Sequence, residues 1–456
     1  MKYDAIVIGS GQGGNPLAYA LADLGQTVAL VEEGPLGGTC VNTGCTPTKT
    51  MVASAQVAYY ARNGARWGVR TGDVSVDLAT VVARKNKMVE SFRGGHEKRV
   101  RDRKMLRLYR AHGRFAGPHT VRAGDDILES DRIFIDTGTR PGIPPLDGLD
   151  GVPYLTNASI MELSAVPEHL LIVGGGYVGL EFGQMFRRFG SAVTVVHRLP
   201  LLLAREDDEV ADELRKILEA EGIRFLLNSR PSSVRHNKGT ITLNVETPSG
   251  PETLTGSHLL VATGRRPNTE DLGLEQAGIE TDDHGYIKVN DRLETGVPGL
   301  WAMGDVNGGP AFTHISYNDY QIIYGNLIEK KSLSTANRIV PYSVFTDPQL
   351  GRVGMTEKQA REAGRKLKVG KIPMTQVSRA LERDETAGLM KLIVDAQTDK
   401  VLGAAILSSE GGELVQILSM LMLAGQPYTL LKGAIYIHPT MAEGFFGLMD
   451  SVKPVE

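Results

Sequence analysis

The chain opens with a short apolar run, residues 3–8, that stops at a cluster of glycines and gives way to an amphipathic stretch ending near Leu24. A second apolar run covers residues 27–31 and ends in Glu32. Runs this short, apolar apart from Asp4 and Thr27, predict strands buried on both faces, and the stretch between them predicts a helix. The same succession returns as an apolar run at residues 170–173, a helix to Phe189 and a strand at 192–196. Two further β-rich runs close in glycine turns, Ile135-Asp136-Thr137-Gly138 and Val261-Ala262-Thr263-Gly264, and another, from Val297, ends in Gly304-Asp305. Strand, helix and strand in repeated succession predict parallel sheets, an α/β architecture with two βαβ units.

The turns carry the first chemistry. Gly9, Gly11 and Gly14 stand in a G-x-G-x-x-G spacing after a strand and before a helix, and Gly174, Gly176 and Gly179 repeat it. Such glycines let backbone N–H groups approach a pyrophosphate at the helix N-terminus. Glu32, at the end of the second strand, can accept hydrogen bonds from a ribose diol. In the second unit His197-Arg198 replaces that acid and Arg205 follows, so the strand end is cationic and favours a 2′-phosphate. Two complete fingerprints imply two dinucleotides. Asp305 can bond a ribityl hydroxyl of a flavin; a helix cap is its bland alternative.

Cys40 and Cys45 are the only cysteines in 456 residues, with four residues between them. Two sulfurs so spaced, opening a predicted helix, can close a small disulfide that a neighbouring electron carrier reduces. A thiolate at a helix N-terminus is stabilised by the partial positive charge there. A structural disulfide or two unrelated thiols remain open on spacing alone. Zinc is disfavoured and no metal set is assigned, because no second cysteine pair or nearby histidine completes four ligands.

Composition changes the picture little. With 41% hydrophobic and 23% charged residues and a net charge of -3, the chain reads as globular, with no reason to invoke nucleic acid or a membrane surface. Seven Lys or Arg fall between Lys98 and Arg110, interspersed with apolar residues, and predict a solvated helix face leading into a strand. The strand at residues 3–8 leaves no signal peptide in view, no apolar run spans a bilayer, and the expected location is cytoplasmic.

The segment 37–49, the two fingerprints and Ile437-His438-Pro439-Thr440-Met441-Ala442-Glu443 together resemble the pyridine-nucleotide-disulfide oxidoreductases, the family of glutathione reductase, lipoamide dehydrogenase and mercuric reductase. Segments 43–50, 315–320 and 341–348 resemble its mercuric-reductase-like branch, which includes a bacterial copper(II) reductase induced by reactive chlorine species and linked to hypothiocyanite reduction. The resemblance implies two Rossmann-like domains and an α+β C-terminal dimerisation domain. The FAD domain would span residues 1–156 and 270–338, the NAD(P)H domain 157–269 and the interface domain 339–456. It further implies FAD and NADPH, with NADH as the alternative coenzyme, and a homodimer whose subunits share each active site.

Carried over residue by residue, the resemblance assigns Gly9, Gly11, Gly14, Glu32, Thr39, Gly138 and Asp305 to the flavin, and Gly174, Gly176, Gly179, Arg198, Arg205 and Gly264 to the nucleotide sites. Tyr177 would cover the nicotinamide face of the flavin, and Lys49 with Glu181 would lie beside its reactive edge. Cys45 would be the flavin-proximal sulfur and Cys40 the exposed interchange thiol. His438 suits acid/base work near neutrality, with Glu443 to orient it. His314 and Ser378-Arg379-Ala380 are secondary candidates, Tyr317 and Tyr320 are expected to share one helix face in core or interface, and residues 418–423 are expected to form a buried helix.

The acceptor is a small molecule, and two features of the chain bear on its class. A mercuric reductase is expected to carry a C-terminal cysteine pair, and residues 449–456 have none. His438 favours chemistry with proton transfer, such as reduction of a disulfide or an oxidised sulfur species, and Cu(II) can use the same dithiol. Mercuric reductase, dihydrolipoamide dehydrogenase and glutathione-type reductase are the alternatives, followed by a flavin-binding redox sensor without turnover and an NAD(P)H oxidase or transhydrogenase.

Overall fold

The computed structural model describes residues 1–455. Its first sheet is five-stranded and parallel, ordered Leu300–Ala302, Ile133–Ile135, Ala5–Ile8, Val28–Val31 and Leu106–Tyr109. Every residue of the three central strands is buried, because helices cover one face and the antiparallel sheet Gly113–Gly117, Thr120–Ala123 and Asp126–Glu129 covers the other, leaving no face for polar alternation. The strand Leu300–Ala302 returns to this sheet after a long excursion, pairing Trp301 with Phe134.

The excursion holds a second parallel sheet, ordered Ile223–Leu226, Ala192–Val196, His169–Val173 and His258–Val261. A three-stranded antiparallel sheet, Arg230–Asn237, Thr240–Thr247 and Gly250–Gly256, stands beside it. In both parallel sheets the chain leaves one central strand in one direction and its neighbour in the other. The carboxyl ends of those strands therefore open a crevice, the usual nucleotide position of such sheets. The first crevice lies between the turns after Ile8 and Ile135, the second between those after Val173 and Val261.

The C-terminal part is a six-stranded antiparallel sheet, ordered Tyr342–Val344, Gln349–Gly354, Val401–Ser408, Leu389–Asp395, Leu367–Pro373 and Lys453–Val455. Helices Gly411–Leu423 and Gly444–Asp450 pack on it through Leu414, Leu418, Leu421, Phe445 and Leu448. The expected buried helix at 418–423 is only half buried: Met420 is 55% and Leu423 71% exposed, since helical period turns every third or fourth residue outward. With Tyr317 and Tyr320, whose rings meet edge to face at 5.3 Å, these residues line a cavity of about 810 Å³.

The basic run closes the helix Leu78–Arg101, whose last turn places Lys98, Arg99 and Arg101 where the helix dipole favours cations. It leads into the strand Leu106–Tyr109 as expected. No helix among the described residues is long and apolar enough to cross a membrane.

Candidate active site

Cys45 is the first residue of the helix Cys45–Asn63, entered through Gly44 and carrying Pro47 in its first turn, where a missing N–H costs nothing. Cys40 lies in the preceding five-residue helix Gly38–Asn42, whose second residue is the exposed Thr39. Both are free thiols, hydrogen-bonded to each other. The Cys45 Sγ also lies 3.2 Å from Thr313 Oγ1, at the start of the helix Thr313–Leu327. Hydrogen bonding from Cys40, then from Thr313, and the nearby Lys49 charge outweigh burial and lower the Cys45 pKa to about 6. The same shared hydrogen bond, with burial, pushes the Cys40 thiol up. In the chain by itself Cys40 is half-buried and Cys45 is the more exposed of the pair. Cys40 is held inside a closed helical turn, whereas Cys45 stands at an open helix start.

Lys49 lies one turn along from Cys45. Its Nζ is 2.6 Å from Glu181 Oε2 and 4.6 Å above the Phe345 ring. Glu181 sits one turn into the helix Tyr177–Phe189, and its Oε1 accepts the Phe345 N–H at 2.9 Å. One ion pair thus ties the cysteine helix, the second nucleotide helix and the C-terminal sheet together. Tyr177 opens that nucleotide helix, packed against Phe312 at 6.2 Å and Tyr342 at 6.0 Å between ring centroids. Tyr342 donates its hydroxyl to buried Glu206, which follows Arg205.

The two glycine turns superpose in logic. Gly9 has φ +98° and Gly174 φ +117°, and a Cβ on either would stand 2.2 Å from the carbonyl oxygen of Asp136 or Ala262. Only glycine fits where the strands pass this closely. Gly14 and Gly179 are excluded from larger residues by the carbonyls of Gly9 and Gly174, at 2.5 and 2.0 Å from their Cβ positions. Glu32 reaches the first turn, accepting the Ser10 N–H at 2.9 Å and Ser10 Oγ–H at 2.7 Å. Across the crevice Asp305 accepts the Thr139 Oγ–H at 2.8 Å, one residue beyond Gly138.

At the second strand end the expected cationic cluster is smaller than its sequence. His197 Nδ1 accepts the Gly175 N–H at 3.1 Å and its Nε2–H donates to the Leu201 carbonyl at 3.1 Å, while burial lowers its pKa. The ring is neutral and belongs to the turn. Arg198 and Arg205 are both exposed, and neither has an ion-pair or hydrogen-bond partner among the described residues. Gly264, at φ +129°, closes this crevice as Gly138 closes the first.

His438 pairs with Glu443, its Nδ1 at 3.0 Å from Oε1, and Glu443 also accepts the Thr440 N–H at 3.0 Å. The Thr440 N–H and His438 hold the Glu443 carboxyl below its ordinary pKa. The pair lies on an exposed segment with Ile435 fully exposed, and no hydrogen bond among the described residues joins it to Cys40 or Cys45. His314 is stacked on Phe312 at 5.5 Å and hydrogen-bonded to the Pro341 carbonyl at 2.6 Å, a packing position. Arg379 pairs with Glu382 at 3.0 Å on the surface. Sequence reasoning missed Thr313, Phe345 and Tyr342, each remote in the chain, and Asp136, whose place in a glycine-turn motif was the available signal.

The pyridine nucleotide-disulphide oxidoreductase family model matches residues 3–319, and the dimerisation domain of that family matches residues 340–447. The chain is 37% identical to the probable pyridine nucleotide-disulfide oxidoreductase RclA of Escherichia coli, covering 99% of this chain and all of that protein. It is 34% identical to a mercuric reductase of Lysinibacillus sphaericus, over 97% of this chain and 81% of the relative. A dihydrolipoyl dehydrogenase of Thermus scotoductus is 36% identical over 99% and 97%. The solved Cu(II) complex of HOCl-induced flavoprotein disulfide reductase RclA superposes with a TM-score of 0.91 over 99% of this chain and 100% of that one. A thiol pair between two nucleotide crevices, followed by a dimerisation domain, places this chain in the pyridine nucleotide-disulphide oxidoreductase family, as a flavin- and pyridine-nucleotide-dependent disulfide oxidoreductase.

Proposed function

We propose that this enzyme uses FAD and NADPH to reduce a Cys40–Cys45 disulfide, which then reduces a thiol-reactive acceptor: an oxidised sulfur species, a disulfide or Cu(II). The observation that carries this reading is the asymmetric thiol pair, with Cys45 bonded to Thr313 and the Lys49–Glu181 ion pair one helical turn away. Bound FAD supplies the two-electron relay between the nicotinamide and the thiols. Gly9, Gly11, Gly14, Glu32, Thr39, Gly138 and Asp305 hold it, and Lys49 offers positive charge beside it. Gly174, Gly176, Gly179 and Gly264 receive the coenzyme, with Tyr177 at the entrance. Arg198 and Arg205, exposed and without a partner among the described residues, suit a 2′-phosphate and support NADPH over NADH.

Reduction of the disulfide takes up two electrons and one proton, leaving one thiol and one thiolate. The pKa directions favour the thiolate on Cys45 and the proton on Cys40. Cys40 must lose its proton to attack the acceptor, and a base is needed for that. His438, its Nδ1 held by Glu443, fits the role, and its exposed segment suits service to the partner subunit's site in a homodimer.

Among acceptors, Cu(II) draws support from the solved Cu(II) complex of the Escherichia coli relative. The retained imidazole of His438 supports an acceptor needing a proton. Anaerobic NADPH oxidation against Cu(II), Hg(II), hypothiocyanite, lipoamide and glutathione disulfide tests both, with Cys40→Ser as control. Fast turnover that survives Cys40→Ser would overturn the dithiol route, and preference for Hg(II) would overturn the choice of acceptor.

A further inference from the structure

One side chain distinguishes the two nucleotide turns. Asp136 and Ala262 hold equivalent places, each with its carbonyl oxygen 2.2 Å from where a Cβ on the first glycine of the opposite turn would stand. Beside Gly176 the Cβ position is open, with nothing within 4 Å; beside its counterpart Gly11, Asp136 Oδ2 stands 2.6 Å away. The Asp136 carboxyl fills the base of the first turn. Its Oδ2 accepts the Gly14 N–H at 2.6 Å, and the residue is only 6% exposed. The same N-terminal N–H groups are those a pyrophosphate uses.

The groups facing Asp136 do not offset a charge there. The helix Gly14–Asp23 offers only backbone N–H groups, from Gly13 and Gly14. The turn Gly304–Asn307 brings Asp305, which has Arg265 at 3.8 Å. The helix Thr313–Leu327 brings Asp319, paired with Arg338, and the neutral Ser316. Burial, and then repulsion from Asp305 and Asp319, hold the Asp136 carboxyl well above the usual carboxylate range. A pyrophosphate adds two negative charges against it, in a place where water cannot screen them.

We propose that FAD binding to this turn is linked to a proton on Asp136, so that the dinucleotide is held tightly only while that carboxyl is neutral. The second turn, with Ala262, carries no such constraint. This rests on the reading of the first crevice as an FAD site. The sign follows from linkage: the pyrophosphate raises the Asp136 pKa above its value without FAD. Affinity is constant below the lower of the two pKa values, falls by up to tenfold per pH unit between them, and levels off above the higher.

The flavin extracted from the purified holoenzyme is identified first; FMN in place of FAD would remove the premise without judging the proton link. The holoenzyme is then diluted serially at fixed ionic strength, from about pH 6 to about pH 9, and released flavin is read by its fluorescence. The expected result is an FAD dissociation constant that rises with pH toward tenfold per unit in the wild type and stays flat in Asp136→Asn. Asp136→Ala, copied from the second turn, is expected to be flat as well and serves if the Asn variant does not fold. A wild-type profile no steeper than the variants', or variants weakened by one factor at every pH, overturns the proposal.

Discussion

Thr313→Val tests the ionisation of Cys45 directly. The Thr313 hydroxyl lies 3.2 Å from Cys45 Sγ, and valine keeps its shape while removing the O–H. A hydrogen bond to a charged group contributes about 1.5–3 kcal/mol, and one pKa unit corresponds to about 1.4 kcal/mol, so complete loss raises the pKa by about one to two units. Cys45 keeps some contact with solvent, which replaces part of the bond, and an increase of about one unit is expected. The assay uses Cys40→Ser, in which Cys45 is the sole thiol and serine retains a donor. The long-wavelength absorbance of a thiolate beside the flavin is titrated with pH, and Cys45→Ser, lacking the band, is the blank. A midpoint near 6 is expected, moving to about 7 with Thr313→Val. A shift below about 0.3 unit, or a downward one, would refute the assignment of Thr313. Stability has a matching sign. A thiol depressed from about 8.5 in the unfolded chain stabilises the reduced fold fully above that pH, and the contribution is lost as pH falls through about 6.

Arg205→Ala, and separately Arg198→Ala, should raise the KM for NADPH by about tenfold or more, the loss of one charge-assisted bond, and leave NADH unchanged; equal effects on both coenzymes would remove the 2′-phosphate role. Mixing inactive His438→Ala and Cys40→Ser homodimers through a dissociation step should restore about a quarter of wild-type turnover, since half the dimers then carry one intact site of two. No recovery, with heterodimers verified, would mean that His438 serves its own subunit. Lys391 Nζ is buried and pairs with Glu357 at 2.8 Å and with Asp207 and Glu209 at 3.0 Å each; Lys391→Met should destabilise the fold by about 3 kcal/mol, the lower end for breaking a buried pair, because Asp207 keeps Arg352 at 2.6 Å and Glu357 keeps Arg361 at 2.7 Å. Urea unfolding of the holoenzyme checks it, and a change under about 1 kcal/mol would mean that water already serves those carboxylates.

Local signals made much of the architecture legible. The strands Ala5–Ile8 and His169–Val173, their glycine turns and the helices that follow lie where continuous apolar runs and tight spacing put them, because both features act over a few residues. The helix at 418–423 was right in type and incomplete in burial, since a run of Leu and Met does not say which face meets the sheet. His197 shows the limit for charge. Its residue type promised a cation, but the nearby Gly175 N–H and Leu201 carbonyl made it a neutral part of the turn.

By itself the sequence determined the chemical inventory: two dinucleotide turns, one thiol pair, an arginine-bearing strand end and a His-Glu pair. It could do so because each is a spacing within a few residues, set by backbone geometry. Only the tertiary structure decided which distant groups act together: Thr313 on Cys45, Phe345 on Glu181, Glu206 on Tyr342, Asp136 beneath Gly11. Those pairings are separated by between 125 and 268 residues, so no local rule reaches them. They arise where sheet crevices and the C-terminal sheet converge, and there burial sets which thiol, carboxyl or imidazole carries charge.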